Sequence, residues 1–458
     1  MKAVFVHGWS VTDIDTYAQL PEVLQKQAPE ELHLEIENIY LGEYISFHDE
    51  VVLEDIARAF ENAREEKLKD EKFVCITHST GGPLIRLWID LFYKDSLANL
   101  PLTHLVMLAP ANHGSALAML GKARVGRIQA WFNGIEPGVG VLTWLELGSS
   151  EAWNLNDSWL EYKYQNNFYP FVLSGEKIDS HFYDFLNHYL VEKGSDGVVR
   201  LSGANLNYQK LILRQDCDDE ALDATVHTQT LKAYPLKLQE GVQSSSPCAF
   251  EVIKNASHSG DRYGIMKSVK KNRVVKPVVH SILQALHVSS YEEYIDVSNE
   301  MMLRTSEAQK DKDKYVMFIF RVRDNFGNVI KDFDMLLLAG NEYSPGKLPK
   351  GFFVDRQKNA QSGNLTYYLN WSRLKEIKDG KIGMRITARP SQGFSSYFPA
   401  EFRAQEKDLS KFLHANETIM VDVILERIIA ANTFVVGTKE KIEKDFKHRK
   451  PSSKHIQS

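Results

Sequence analysis

Cysteine is scarce in this chain. Cys75, Cys217 and Cys248 are odd in number and too scattered for a disulfide framework or a zinc site, which fits synthesis in a reducing compartment. Long apolar runs are missing too. The most apolar stretches, such as Leu102 to Leu108, are strand-sized and fall short of a transmembrane helix, so any membrane contact is expected to be peripheral. The N-terminus shows no secretory pattern, because its first apolar run, Ala3 to Val6, is too short for an h-region and leads directly into His7-Gly8. Nor is there an excess of positive charge. A net charge of -5 provides no general attraction to phosphate backbones, and nucleic acid is not expected as a partner. There is no internal repeat.

What is present is an ordinary globular composition, 43% hydrophobic and 25% charged, on a chain whose 458 residues exceed what one hydrophobic core usually organises. Two or more domains are therefore expected. In the first half, short apolar runs alternate with amphipathic stretches, the pattern of βαβ units and a mainly parallel sheet flanked by helices. Val4 to Val6, Leu34 to Ile39, Phe73 to Thr77 and Leu102 to Leu108 read as strands. Val51 to Glu66 and Gly82 to Phe92 carry apolar residues at helical spacing. Phe168 to Leu173, Gln209 to Leu213 and Ala249 to Ile253 are further strands expected to extend the same sheet, and Val275 to Ala285 reads as a last helix. Between Asn112 and Asn166, Trp131, Phe132, Trp144, Leu145, Trp153 and Trp159 are interleaved with glycines; this segment is either a lid over a site or ordinary core helices.

Beyond a polar stretch at Ser306 to Lys314 the character changes. Val316 to Val322, Asp334 to Ala339, Leu365 to Leu369, Lys381 to Ala388 and Thr418 to Leu425 are β-rich runs separated by turn signals such as Asn325 to Asn328 and Asp379-Gly380. The expected organisation is an α/β domain over residues 1–295, an all-β domain, read as a sandwich, over 306–437, and a polar Lys-rich tail over 438–458. Phe394 and Tyr397-Phe398 flank Gly393 and Pro399 in an apparent loop of the second domain, where exposure would mark a subunit or membrane contact.

The strongest chemical signal is Thr77-His78-Ser79-Thr80-Gly81-Gly82, set between a strand and an amphipathic helix. A serine on such a turn is pushed up for attack, and small residues around it let strand and helix pack closely: the nucleophile elbow of an α/β-hydrolase. Thr77 stands where that fingerprint has Gly, whereas Gly81 is retained. A Ser/Thr/Gly turn after a strand also serves as a plain helix cap, so context must decide. His7-Gly8-Trp9 follows the first strand, where hydrolases place one oxyanion-hole N–H; the other comes from the residue after the nucleophile. Trp9 and Thr80 are the expected backbone donors, with His7 and His113 at the substrate pocket.

The order serine, acid, histidine must then be completed downstream. His258, in Asn255-Ala-Ser-His258-Ser-Gly260, lies just beyond a strand, where a general base can swing into the site. His113 precedes every acid candidate and fits better as a pocket wall, and His181, His188 and His280 sit in helical contexts. For the acid, Asp196 in Gly194-Ser-Asp196-Gly-Val-Val199 occupies a tight turn; Asp179 and Asp184 are the rivals.

Together the Thr-His-Ser79-Thr-Gly elbow, the His7-Gly8 loop, the Pro110-Ala-Asn-His113-Gly-Ser115 segment and the Ser-Asp196-Gly-Val-Val turn resemble the PlaB family of bacterial phospholipases A. In that family the elbow also reads Thr-His-Ser-Thr-Gly. The resemblance implies phospholipase A and lysophospholipase A activity through Ser79, Asp196 and His258; acyl-enzyme chemistry of this kind needs no metal or organic cofactor. It also implies association with the outer membrane without a cleaved signal, and homotetramers assembled through an essential C-terminal domain. Two other readings stay open on the residues alone: a carboxylesterase or neutral lipase, and a catalytically dead hydrolase fold that serves as an interaction module.

Overall fold

The structure of the chain, a computed structural model, describes residues 1–7, 16–45, 48, 50–118, 138–164, 168–178, 193–217, 233–239, 241–390 and 395–429. Six strands form the first sheet: β1 (Lys2–His7), β2 (Glu35–Tyr40), β3 (Phe73–His78), β4 (Leu102–Leu108), β5 (Tyr169–Gly175) and β9 (Ala249–Ile253). They pair in the order β2-β1-β3-β4-β5-β9, and every pairing is parallel. Strands buried on both faces read as continuous hydrophobic stretches, as β3 and β4 do here. Alternate side chains serve opposite cores. Val4, Val6, Cys75, Leu105 and Met107 point to one face, and Phe5, Val74, Ile76, Val106 and Leu108 to the other.

Helices α2 (Leu53–Lys67) and α3 (Gly81–Tyr93) pack on the first of these faces, where Phe60 meets the buried Trp88 edge-on. On the opposite face lie α1 (Leu20–Gln27) and α7 (Pro277–His287). From β1 the chain passes to β2 on one side and then to β3 on the other, so the order reverses between β1 and β3. In open parallel sheets a ligand crevice forms at such a switch point, beyond the carboxyl ends of the strands.

Two helices, α4 (Val139–Leu145) and α5 (Ser150–Trp159), represent the segment read as lid or core. Trp144, Leu145, Trp153 and Trp159 are all buried in the first core; Trp131 and Phe132 lie outside the described residues. The polar stretch near Ser306 is preceded by a helix that periodicity did not reveal, α8 (Tyr291–Ala308), whose Tyr294, Met301 and Thr305 pack towards β9. Among the described residues no helix is long and apolar enough to cross a membrane.

A second, larger sheet is built from β6 (Tyr208–Gln215), β7 (Tyr234–Leu238), β8 (Gln243–Ser244), β10 (Tyr315–Asp324), β11 (Phe333–Ala339), β12 (Phe353–Lys358), β13 (Leu365–Asn370), β14 (Lys381–Ala388), β16 (Ala400–Gln405) and β17 (Thr418–Leu425). Its order is β11-β14-β16-β7-β6-β17-β10-β13-β12, with β8 beside β6; β15 (Ser395–Ser396) and β18 (Ile428–Ile429) pair separately. The sheet curls until its ends meet. Tyr367 Oη on β13 donates to the Met335 carbonyl on β11 at 2.7 Å, and Phe320, Leu369, Val421, Met335 and Ile386 fill the space between the two layers.

One expectation is corrected here. The run Gln209 to Leu213 does not extend the first sheet: as β6 it pairs in parallel with β17 and lies inside the second. Its alternation of buried and half-buried residues suits a sheet with one covered face better than the doubly buried parallel sheet. Tyr397 and Phe398 are half-buried, with Phe398 against Tyr234, and Phe394 lies outside the described residues. The tail, 438–458, also lies outside them.

Candidate active site

Strand β3 ends at His78, and the next residue turns sharply. Ser79 has φ +54°, a left-handed conformation rarely adopted by residues with a side chain. Three backbone bonds hold it: Ser79 N–H donates to Leu108 O (3.0 Å), and its carbonyl accepts from Ala111 (3.2 Å) and Gly82 (3.3 Å). The departure at Thr77 has a steric counterpart. A Cβ on Gly81 would sit 3.0 Å from Thr77 Cβ, and one on Gly82 would sit 2.6 Å from Pro110 Cβ. With the strand position filled by threonine, close approach of helix to strand depends on the two glycines.

Both the histidine and the acid arrive on loops. His258 follows β9 on a turn closed by Ser257 N–H to Tyr263 O (2.9 Å) and Ile265 N–H to Ser257 O (2.8 Å). Asp196 lies in the turn before α6 (Leu201–Ala204), and its Oδ1 accepts from Val198 N–H (3.0 Å) and Val199 N–H (2.8 Å). The His258 backbone N–H donates to the Asp196 carbonyl (3.1 Å), joining the loops.

The side chains then form one line. His258 Nδ1 lies 2.9 Å from Asp196 Oδ2, and His258 Nε2 lies 3.2 Å from Ser79 Oγ. An ionised carboxylate only accepts, so Nδ1 carries the hydrogen and Nε2 is left to accept from the serine hydroxyl. Both His258 and Asp196 are buried, at 4% and 2% exposure, which keeps water from competing for these bonds.

Thr80 is the N-cap of α3, next to the nucleophile and at the helix end where backbone N–H groups lack intrahelical partners. Trp9 lies outside the described residues, as do Asp179, Asp184, His181 and His188, and the placement of His7 is described only as the end of β1. His280 is exposed on α7. His113 is 1% exposed, with its ring edge-on to Tyr208 at 4.9 Å and its backbone N–H donating to Gly203 O. Neither of its ring nitrogens meets hydrogen-bond geometry, although the Asn205 backbone approaches closely enough to oppose part of the effect of burial. Burial, then the nearby Arg86 charge, push its pKa down to about 3.

Two further groups were not singled out by sequence. His78 Nε2–H donates to the His258 carbonyl (3.2 Å) and its ring lies 4.6 Å from the His258 ring. Burial, and after it the charges of His258 and Lys267, hold His78 well below the usual histidine range, so it is a neutral neighbour for an imidazolium. Arg86 is fully buried on α3; it donates to Asn112 Oδ1 (3.3 Å) and Asn156 Oδ1 (2.9 Å) and lies 4.5 Å over Trp159. It thereby fixes the loop whose Ala111 holds the Ser79 carbonyl. A serine next to a histidine in a motif already signals His78; a lone arginine in an apolar helix is the only trace of the second.

Phospholipase PlaB from Legionella pneumophila superimposes with a TM-score of 0.85 and 41% identity, covering 97% of this chain and 98% of that one. The chain belongs to the PlaB family. A PlaB structure in complex with thio-NAD matches equally well, at TM-score 0.85 and 39% identity over the same coverage. The mature Bacillus licheniformis lipase BlEst2 is far more distant, at 17% identity over 44% of this chain and 78% of that one, with a TM-score of 0.33. No protein-family model and no curated protein matches the chain. The likeness to PlaB covers 97% of the chain and so takes in the second sheet as well as the first.

Proposed function

We propose that the chain is a phospholipase A and lysophospholipase that cleaves fatty-acyl esters of glycerophospholipids through an acyl-enzyme on Ser79. The supporting observation is the hydrogen-bonded line Asp196–His258–Ser79 at the carboxyl end of a parallel sheet, in a chain of the PlaB family. In this reading Ser79 Oγ attacks the ester carbonyl while His258 Nε2 takes its proton. His258 returns that proton to the leaving lysophospholipid or glycerol oxygen, and water then releases the fatty acid by the same route. Asp196 fixes the imidazole tautomer and stabilises its cation. The N–H groups of Thr80 and Trp9 are assigned to the developing oxyanion, and His7 and His113 to the walls of the pocket. Outer-membrane association, peripheral contact with lipid and a homotetramer are carried over from the family resemblance on the same terms.

The experiment is hydrolysis of diacyl phospholipid vesicles, lysophospholipid micelles and a short nitrophenyl ester, compared with Ser79→Ala. Fatty acid should be released from both lipid classes, and the substitution should remove at least about 10⁴ of the rate. Turnover of the soluble ester alone would make the chain a carboxylesterase. No turnover and no labelling of Ser79 by a fluorophosphonate would make it an interaction module.

A further inference from the structure

We infer that the second sheet takes part in catalysis by seating the acid loop: Tyr368 and the Arg200–Asp355 pair are positioning residues for Asp196. The inference rests on the reading of Asp196 as the triad acid. Residues 193–201 form a small closed turn, with Leu201 N–H donating to Gly194 O (2.9 Å) and Asp196 N–H to Val199 O (3.2 Å). Asp196 takes its place from this turn, because two of the turn's own N–H groups hold Oδ1.

Both ends of the turn are gripped from the second sheet. At the first end, Tyr368 Oη on β13 shares its hydrogen between the carbonyls of Lys193 (3.0 Å) and Gly194 (3.2 Å). The fit is close enough to demand glycine: a Cβ on Gly194, whose φ is +74°, would lie 2.4 Å from the Tyr315 ring and 2.6 Å from Tyr368 Oη. At the other end Arg200, 2% exposed, lays its guanidinium over the Tyr368 ring at 4.3 Å and pairs with Asp355 on β12, while Met317 Sδ on β10 lies 3.7 Å from Nη1. Gln357 steadies the carboxylate, donating to Asp355 Oδ2 at 2.9 Å. A buried guanidinium is stable only where its charge is paired, and Asp355 supplies such a pair from the second sheet, so a shift of the turn would strain that contact. One aromatic ring thus touches both ends, and a carboxylate 155 residues away in sequence anchors the second.

Removing either contact should displace the Asp196 carboxylate by a fraction of an ångström and leave the rest of the site in place. An error of that size in a catalytic group costs up to about a hundredfold in turnover. The test uses the full chain with Tyr368→Phe, which keeps the ring, and Asp355→Asn, which keeps the shape. Each should lower kcat on a short nitrophenyl ester, and the rate of fluorophosphonate labelling at Ser79, by about tenfold to a hundredfold with KM nearly unchanged. The deciding readout is the same pair of substitutions in an Asp196→Asn background. Positioning that acts through the carboxylate has nothing left to act on there, so each substitution should change the residual labelling rate by less than about twofold. Full kcat in both single variants, or an undiminished effect in the Asp196→Asn background, would overturn the inference while leaving Asp196 as the acid. Wild-type turnover in Asp196→Asn alone would overturn the acid assignment, and the clamp with it. Labelling can be read on a small folded fraction, so a variant of poor yield still gives a result.

Discussion

At the residue scale, the site depends on a serine held at φ +54° and on one histidine selected from 15. Residues in sparsely populated backbone regions persist only where their surroundings enforce them, and three backbone bonds do so for Ser79. Selection between His258 and His113 follows from partners. His258 touches both serine and acid, whereas His113 is buried without a well-formed ring hydrogen bond, close to the Arg86 cation. Replacing His113 by Gln should therefore leave turnover within about tenfold of the parent, while His258→Asn removes about 10⁴. Equal losses in the two variants would reverse the assignment. Ser79 and His258 were legible in the sequence because each stands just past a strand among residues that permit a sharp turn, and Asp196 because it lies in a tight turn between Gly194 and Gly197. The role of His78 was not, since it rests on a carbonyl 180 positions away.

At the element scale, strand character was readable but strand partnership was not. Thr418 to Leu425 and Lys381 to Ala388 appear with the bounds expected, because alternation and β-branched residues mark a strand wherever it lies. Nothing local in Tyr208 to Gln215 states that its neighbour is β17, some 210 residues later, and so its sheet was misread. Helix α8 was hidden by a sparse apolar stripe, with only Tyr294, Met301 and Thr305 buried over 18 residues. Where elements meet, single glycines carry consequences. Gly175 ends β5 beneath the loop leading to His258, and a Cβ there would lie 2.1 Å from the Ala256 carbonyl oxygen, a backbone atom two residues before that histidine. Gly175→Ala should therefore cost about 1–3 kcal/mol in urea unfolding and at least about tenfold in kcat. Unchanged kcat with lowered stability would show that the loop absorbs the shift without moving the imidazole.

On the scale of the whole molecule, the first core does not stop at the first sheet: Tyr315, Met317, Ile319, Tyr368 and Met420 belong to it alongside Met107, Trp144 and Val199. Deleting residues 306–458 would also strip β6 and β7 of β17 and β16, leaving long unpaired strand edges. The truncated protein should be insoluble, which recovery from the soluble fraction after expression measures directly; a soluble, monodisperse fragment would contradict this. The same integration sets the response to pH, because the packed interior holds titratable groups away from their ordinary states. Burial depresses His78, lowers His104 to about 4 and His113 to about 3, and raises Glu417 to about 8. Below the ordinary histidine value of 6.5, the unfolded chain takes up protons on three histidines that the folded chain excludes, so stability falls as pH falls. Glu417 works in the opposite direction: between 8 and its ordinary value of 4.5 the folded chain holds a proton that the unfolded chain releases, so its contribution is lost as pH rises towards 8. The net between pH 6.5 and 4.5 is about two protons favouring the unfolded state, or at most about 3 kcal/mol per pH unit. Above 6.5 Glu417 alone gives a shallower decline, at most about 1.4 kcal/mol per unit. Urea unfolding should therefore show a stability maximum near pH 6.5, steeper on the acid side, and Glu417→Gln should flatten the alkaline side while steepening the acid side by about one proton. A profile level from pH 5 to 8, or an alkaline slope unchanged in Glu417→Gln, would mean that these groups meet water in the folded chain.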